Sequence, residues 1–285
     1  SIFDLVRPTN SACTGDTGDK GSCLTSRDCA ERGGHSIGVC VNGLAQCCYF
    51  KFTCSGVTSR NETVFVNPSY PQGENGTDTC QVTVEKQPNV CQLRLDFEEF
   101  SLAQPDILGL CTKDSFMVRT TVGERLPILC GENRGQHSPP GCLQYYRSPS
   151  ETVRSFNFGN PIDSRVRYLS NLRYTVCLRV EENFCSIKWE TEKADSFSWG
   201  LPENAGASGS TCNDDDFITI DQGSLDGYGA GEDRFCGTSL LDRNTVISRS
   251  KPFLLKVRSN SNARENAESS QNGFSLRYIQ LPCMI

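Results

Sequence analysis

Histidine is nearly absent from this sequence: His35 and His137 are the only two in 285 residues. A zinc site of Cys and His ligands therefore has little to draw on, and no pair of C-x-x-C knuckles occurs. A serine protease needs a positioned His, Asp and Ser, and no Gly-Asp-Ser-Gly-Gly segment is present. There is no His-Glu-x-x-His motif, and no glycine-rich phosphate loop follows a strand. With these constellations missing, the chain is not expected to be an enzyme. No apolar run approaches the roughly 18 residues a helix needs to cross a bilayer. Basic residues are not in excess: 28 Lys and Arg stand against 34 Asp and Glu, a net charge of −6. Nucleic acid is thus not an expected partner. Helical periodicity is poor, while Gly, Pro, Asn and Ser are plentiful, which points to an all-β protein with many turns. The chain does not begin with Met and carries no signal peptide, so Ser1 is expected to be a mature end left by cleavage.

What the sequence does have is cysteine, 17 in all. That density fits an oxidising compartment, and the protein is expected to be secreted and disulfide-bonded. The sequons Asn61-Glu-Thr63 and Asn75-Gly-Thr77 agree with a secreted glycoprotein. The cysteines repeat. One run is Cys54, Cys80, Cys91, Cys111 and Cys130; the next is Cys142, Cys177, Cys185, Cys212, Cys236 and Cys283. Text repeats with them: Cys111-Thr-Lys-Asp-Ser-Phe matches Cys212-Asn-Asp-Asp-Asp-Phe, and Leu129-Cys130-Gly131 matches Phe235-Cys236-Gly237. Two copies of one module account for this, the first copy lacking the counterpart of Cys283.

Three units follow: 1–52, 53–137 and 138–285. The first holds Cys13, Cys23, Cys29, Cys40, Cys47 and Cys48 among many glycines. So short a stretch cannot build a sufficient apolar core, so three disulfides must hold it. Adjacent Cys47 and Cys48 strain the geometry of a mutual bond, so they are expected to reach different partners. In the second unit Leu93, Leu95 and Phe97 alternate with Arg94, Asp96 and Glu98, the period-2 pattern of a half-buried strand. The third offers strands at Tyr174–Val180, Ser186–Glu190, Phe217–Asp221, Phe253–Val257 and Phe274–Tyr278. Trp199–Ser210 and Ser259–Gly273 are polar and read as long surface loops, the usual place for binding.

The order and spacing of the first six cysteines, ending in a Cys-Cys pair, resemble the clip-type knots of arthropod secreted proteins. That resemblance implies Cys13–Cys47, Cys23–Cys40 and Cys29–Cys48. The other two units resemble CUB domains. In the first copy the residues are Cys54 and Cys80 enclosing Asn67-Pro-Ser-Tyr-Pro71, the strand Leu93–Phe97, Cys111-x-x-Asp114-x-Phe116 and Cys130-Gly131. In the second they are Tyr174-Thr-Val-Cys177, Cys212-x-x-Asp215-x-Phe217, Cys236-Gly237 and Gly273-Phe274. The whole looks like an arthropod secreted protein with a clip-like knot and tandem CUB units. It implies two jelly-roll β-sandwiches preceded by a small disulfide-rich knot. It also implies Cys54–Cys80, Cys111–Cys130, Cys142–Cys177 and Cys212–Cys236, and the internal repeat then suggests Cys185–Cys283. By the same logic Cys91 needs a partner after Cys130, and this sequence has none. Only 11 residues separate Cys130 from Cys142, against 46 between Cys236 and Cys283. A segment is therefore expected to be missing between His137 and Ser138; the alternatives are that Cys91 bonds to another chain or that another chain supplies a strand.

Many CUB domains bind calcium, and Asp114 and Asp215 stand where the family has a ligand. Ala103 stands where Glu is usual, with Asp106 nearby, and the later loop of the second copy has Glu265 and Glu268 but no Asp. The favoured reading is that Asp114 and Asp215 cap turns by accepting backbone N–H groups, with no cofactor; calcium, which wants six to eight oxygens, is the other. Trp189 is expected in the core, whereas Trp199 either packs its own loop or anchors an interface. The expected function is extracellular protein binding or assembly through loops and strand edges, with protein partners that include, as one option, the chain itself. The alternatives are a regulatory or recognition component of a protease or immune cascade, and a structural protein polymerising through edge strands or an intermolecular disulfide.

Overall fold

The computed structural model describes residues 11–88, 90, 93–119, 126–133, 142–159, 167–193, 196–200, 205–212, 216–241, 243–261 and 272–283, and the backbone of 135–137. The chain divides into two compact units, Ser1–Cys91 and Gln92–Ile285. Residues 53–91 and 92–137, read as one module in the sequence, thus fall in different units. The three-domain division is a proposal of the sequence.

In the first unit the strands are β1 (Ala12–Thr14), β2 (Lys20–Leu24), β3 (His35–Cys40), β4 (Ala45–Phe52), β5 (Gly56–Thr58), β6 (Thr63–Phe65) and β7 (Val82–Val84), with helix α1 (Ser26–Glu31) after β2. Thr25 caps the helix, its Oγ1 accepting the Asp28 N–H at 3.0 Å. The knot sheet runs β1-β2-β4-β3, and β6 lies parallel to β4. Its apolar centre is only Leu24, Cys29, Cys48 and Phe50. So small a core does not offset chain entropy unaided, and Cys13–Cys47, Cys23–Cys40 and Cys29–Cys48 supply cross-links. At Gly34 a Cβ would strike the Cys48 sulfur, so this position needs glycine. Cys54–Cys80 closes the remaining loop beside the parallel pair β5–β7.

The second unit holds a β-sandwich. Its strands are β8 (Leu95–Phe97), β9 (Gly135–His137), β10 (Gln144–Tyr146), β11 (Ser150–Arg154), β12 (Arg173–Leu178), β13 (Phe184–Thr191), β14 (Phe197–Ser198), β15 (Ala207–Ser208), β16 (Phe217–Gly223), β17 (Glu232–Cys236), β18 (Thr245–Ser248), β19 (Leu254–Arg258) and β20 (Gly273–Pro282). Six strands form one sheet, β10-β12-β19-β16-β17-β15; the other runs β11-β20-β13-β18, with β14 beside β20. Alternation decides which side chains meet between the sheets. Tyr174, Val176, Leu255, Val257, Ile218, Ile220 and Phe235 come from the first, Val153, Ile187, Trp189, Val246, Leu276 and Tyr278 from the second, and all are buried in one core. Each such side chain contributes roughly 1.5–3 kcal/mol of burial free energy. Three disulfides brace the sandwich: Cys142–Cys177 ties the segment before β10 to β12, Cys212–Cys236 anchors β17, and Cys185–Cys283 ties β13 to the end of β20.

The stretch before the sandwich packs onto it. Leu129 and Cys130 belong to the same core, and Phe97, Phe100, Leu102 and Phe116 lie against it. Phe97 and Phe116 meet edge to face at 5.3 Å, near the favoured geometry of aromatic pairs. Cys111–Cys130 clamps the bridge between Phe116 and Leu129. Polar bonds complete the attachment. Asn157 donates its N–H to Asn133 Oδ1 (3.0 Å), and its own Oδ1 accepts the Glu132 N–H (3.0 Å). The fold is all-β, with a jelly-roll sandwich and many disulfides in the N-terminal region.

Candidate functional site

The residues singled out from the sequence are scattered. Asp114 is exposed, and its Oδ2 accepts the Ala103 N–H at 3.0 Å. Asp106 Oδ1 accepts the N–H groups of Leu108 and Leu110, both at 2.9 Å. The Asp106 carboxylate holds the turn that follows it, whereas that of Asp114 ties two segments 11 residues apart. Asp215 lies outside the described residues, as do Glu265, Glu268, Cys91 and the stretch 138–141. Asp216 is described and buried: its Oδ2 accepts the Tyr168 hydroxyl at 2.5 Å and its Oδ1 the Asn260 N–H at 2.6 Å. Among the described residues no three His, Cys, Asp or Glu side chains converge on a point that could hold a metal. Asn61 and Asn75 are exposed.

Trp199 is no surface anchor. It is fully buried, stacks on Tyr168 at 4.0 Å between ring centroids, and donates its indole N–H to the Arg258 carbonyl at 3.1 Å. Its segment is not a plain loop either, for Trp199 bridges to Gly237, and Ala207–Ser208 pairs with β17.

A surface that sequence reading did not mark lies between β16 and β17. The loop Ser224-Leu-Asp-Gly-Tyr-Gly-Ala-Gly231 presents two exposed apolar side chains, Leu225 and Tyr228, the latter 62% exposed. The loop is ordered by its own backbone. Asp226 Oδ1 accepts the N–H groups of Tyr228 (2.8 Å) and Gly229 (3.2 Å), and Ser224 Oγ accepts that of Gly227 (2.9 Å). These backbone bonds hold the Asp226 carboxyl below the usual carboxylate range. Ser224 also exchanges backbone bonds with Ile247 of β18. Gly227 sits at φ +77°, where a side chain is strained, and a Cβ there would meet Ile247 Cγ2 at 2.8 Å. The Arg249 guanidinium lies 3.7 Å from the Tyr228 ring centroid, a cation–π contact that braces the ring. A rigid loop offering Tyr, Arg and Leu costs little ordering entropy on binding, and Tyr and Arg are the side chains that most often dominate interfaces. The available signal was the Asp-Gly turn with a Tyr set among glycines. It does not reveal that Arg249, 21 residues on, reaches the ring.

The fold is a disulfide-braced jelly-roll sandwich with an ordered aromatic loop between β16 and β17. The model of the animal CUB domain matches residues 139–281, half of the chain, and the chain belongs to that family. Among solved structures it is similar to the CUB1-EGF-CUB2 domain of human MASP-1/3 (16% identity, TM-score 0.30), covering 48% of this chain and 43% of that one. The MASP-1 CUB2 domain bound to Ca2+ gives 18% identity and a TM-score of 0.28 over 48% and 98% of the two chains. The CUB1-EGF-CUB2 domains of rat MASP-1 give 14% identity and a TM-score of 0.35 over 66% and 57%. The match thus spans less than half of the first of these structures. No curated protein matches the chain.

Proposed function

We propose that the protein is a secreted, non-enzymatic binding protein whose sandwich presents the β16–β17 loop to a protein partner. The observation that carries this reading is the ordered loop with Tyr228 exposed and braced by Arg249. Its pre-organisation matters because an exposed aromatic on a slack loop would lose much of its binding energy to ordering. Eight disulfides among the described residues support the extracellular setting. So do the exposed sequon residues Asn61 and Asn75. No helix among the described residues is long and apolar enough to cross a membrane.

The test is capture of partners from the extracellular fluid of the source organism, using the full chain and its Tyr228→Ala variant. The partner retained by the native chain should bind the variant at least about tenfold more weakly, a typical anchor loss, with the thermal midpoint unchanged. Equal retention of every partner by both chains would sink the proposal.

A further inference from the structure

The outer face of the six-stranded sheet carries a cluster of positive charge that the β16–β17 loop does not use. Alternation turns Arg173 and Thr175 of β12 outward, with Lys256 and Arg258 of β19, Phe217 and Thr219 of β16, and Arg234 of β17. The register sets them in two rows. Arg173 lies opposite Arg258, which lies opposite Phe217; Thr175 lies opposite Lys256, then Thr219, then Arg234. Arg234 and Arg258 both lie over the Phe217 ring, at 4.6 and 5.5 Å from its centroid. Lys256 has one counter-ion, Asp221 at 3.2 Å. Among the described residues, Arg173, Arg234 and Arg258 have no carboxylate within ion-pair distance. By the same alternation the exposed Glu232 of β17 shares this face with Arg234, so four cations stand against two carboxylates, Asp221 and Glu232, a local excess of positive charge in a chain of net charge −6. Like charges directly opposite on neighbouring strands are unfavourable, so this arrangement is in want of an anion.

The shape of the cluster narrows the partner. Arg173 and Arg234 are three strands apart, roughly 14 Å, and Lys256 and Arg258 about 7 Å apart along one strand. The face therefore offers a spaced array of cations, with threonine hydroxyls between them. Among the described residues it shows no exposed apolar anchor of the kind a protein partner would use: Phe217 is only 7% exposed, packed with Ala207, Cys212 and Cys236 and overlain by two guanidiniums. Guanidinium forks pair with tetrahedral oxyanions by two parallel hydrogen bonds. We infer that the outer face of the six-stranded sheet binds a sulfated polysaccharide, with Arg173, Arg258, Lys256 and Arg234 as its contacts.

Heparin is the probe, and the readout is its dissociation constant for the full chain at about 0.15 M NaCl and at higher salt. The double variant R173Q/R258Q should bind about tenfold or more weakly than the native chain, and with a shallower salt dependence. The double variant K188Q/R277Q removes the same charge from the other sheet and should bind like the native chain. Thr219→Lys adds a cation between Lys256 and Arg234 and should bind more tightly; it carries the test should R173Q/R258Q fail to fold. The proposal is overturned if the native chain does not bind heparin, or if both doubles weaken binding alike. It is also overturned if polyglutamate or hyaluronan competes as well as heparin, since an acidic protein or a carboxylate polymer would then fit better. None of these results touches the Tyr228 loop.

Discussion

The two outer faces of the sandwich treat charge in opposite ways. On the five-stranded sheet Lys188 and Glu190 form an ion pair at 2.6 Å, and Glu190 faces Arg277 across the strands. Thr152 donates to Glu192 at 2.7 Å. On the six-stranded sheet Arg173 faces Arg258 instead. Both sheets obey the same inward alternation, so the core does not dictate this contrast. A face that neutralises itself is built for solvent. A face that leaves cations opposed gives up a little stability and gains attraction for an anion.

The largest effect comes from striking what the two faces share. Trp199→Ala should destabilise the second unit by about 3–5 kcal/mol, as a buried aromatic replaced by alanine does. Urea unfolding followed by near-ultraviolet circular dichroism checks this; a loss under about 1 kcal/mol would mean that Trp199 is not part of the core.

Smaller substitutions sharpen the comparison because their signs differ. Glu190→Gln breaks the Lys188 pair and leaves Arg277 without its facing carboxylate, so it should cost about 0.2–1 kcal/mol. Arg173→Gln relieves a like-charge pair and should raise stability by a few tenths of a kcal/mol. Thermal melts at low and high salt separate the two, since added salt screens both effects toward zero. If both variants melt lower than the native chain by the same amount, the two faces are not electrostatically different.

The smallest effect concerns the Asp226 turn. Its carboxyl pKa is lowered in the folded chain from 3.8, the backbone N–H of Tyr228 being the first cause. The stabilising contribution of a depressed carboxylate is fully present above its unfolded value. It is lost as pH falls through the lower folded value, so the loop should hold Tyr228 in place at neutral pH and loosen only below pH 3.8. A carbon-13 titration of the Asp226 carboxyl should give a midpoint below that of an unfolded peptide. An equal midpoint would remove the turn from the account.

Much of the architecture was legible in the sequence. Leu254–Arg258 alternates apolar and charged side chains because one face is core and the other is not, and Phe274–Tyr278 reads as strand for the same reason. The surfaces were harder to read. Each cation of the six-stranded face is visible as a strand residue, yet Arg173 and Arg258 stand 85 positions apart, and only register makes them neighbours. The polar composition around Trp199 suggested a solvated loop. The ring is buried because Tyr168, distant in sequence, stacks on it and Phe274 meets it edge to face from the core. The Asp114 bond was not legible as a turn cap, since its partner Ala103 lies 11 residues away on another segment.

The position of β20 has a consequence for how the chain is made. This strand comes last among the described strands, yet it lies in the interior of its sheet, between β11 and β13, with Phe274, Leu276 and Tyr278 fully buried. During synthesis β11 and β13 emerge with a strand-wide gap between them, and none of the earlier strands fills it. The sheet therefore cannot be completed until residues 273–282 have been synthesised. For that interval its open strand edges are the part of the molecule most in need of a chaperone.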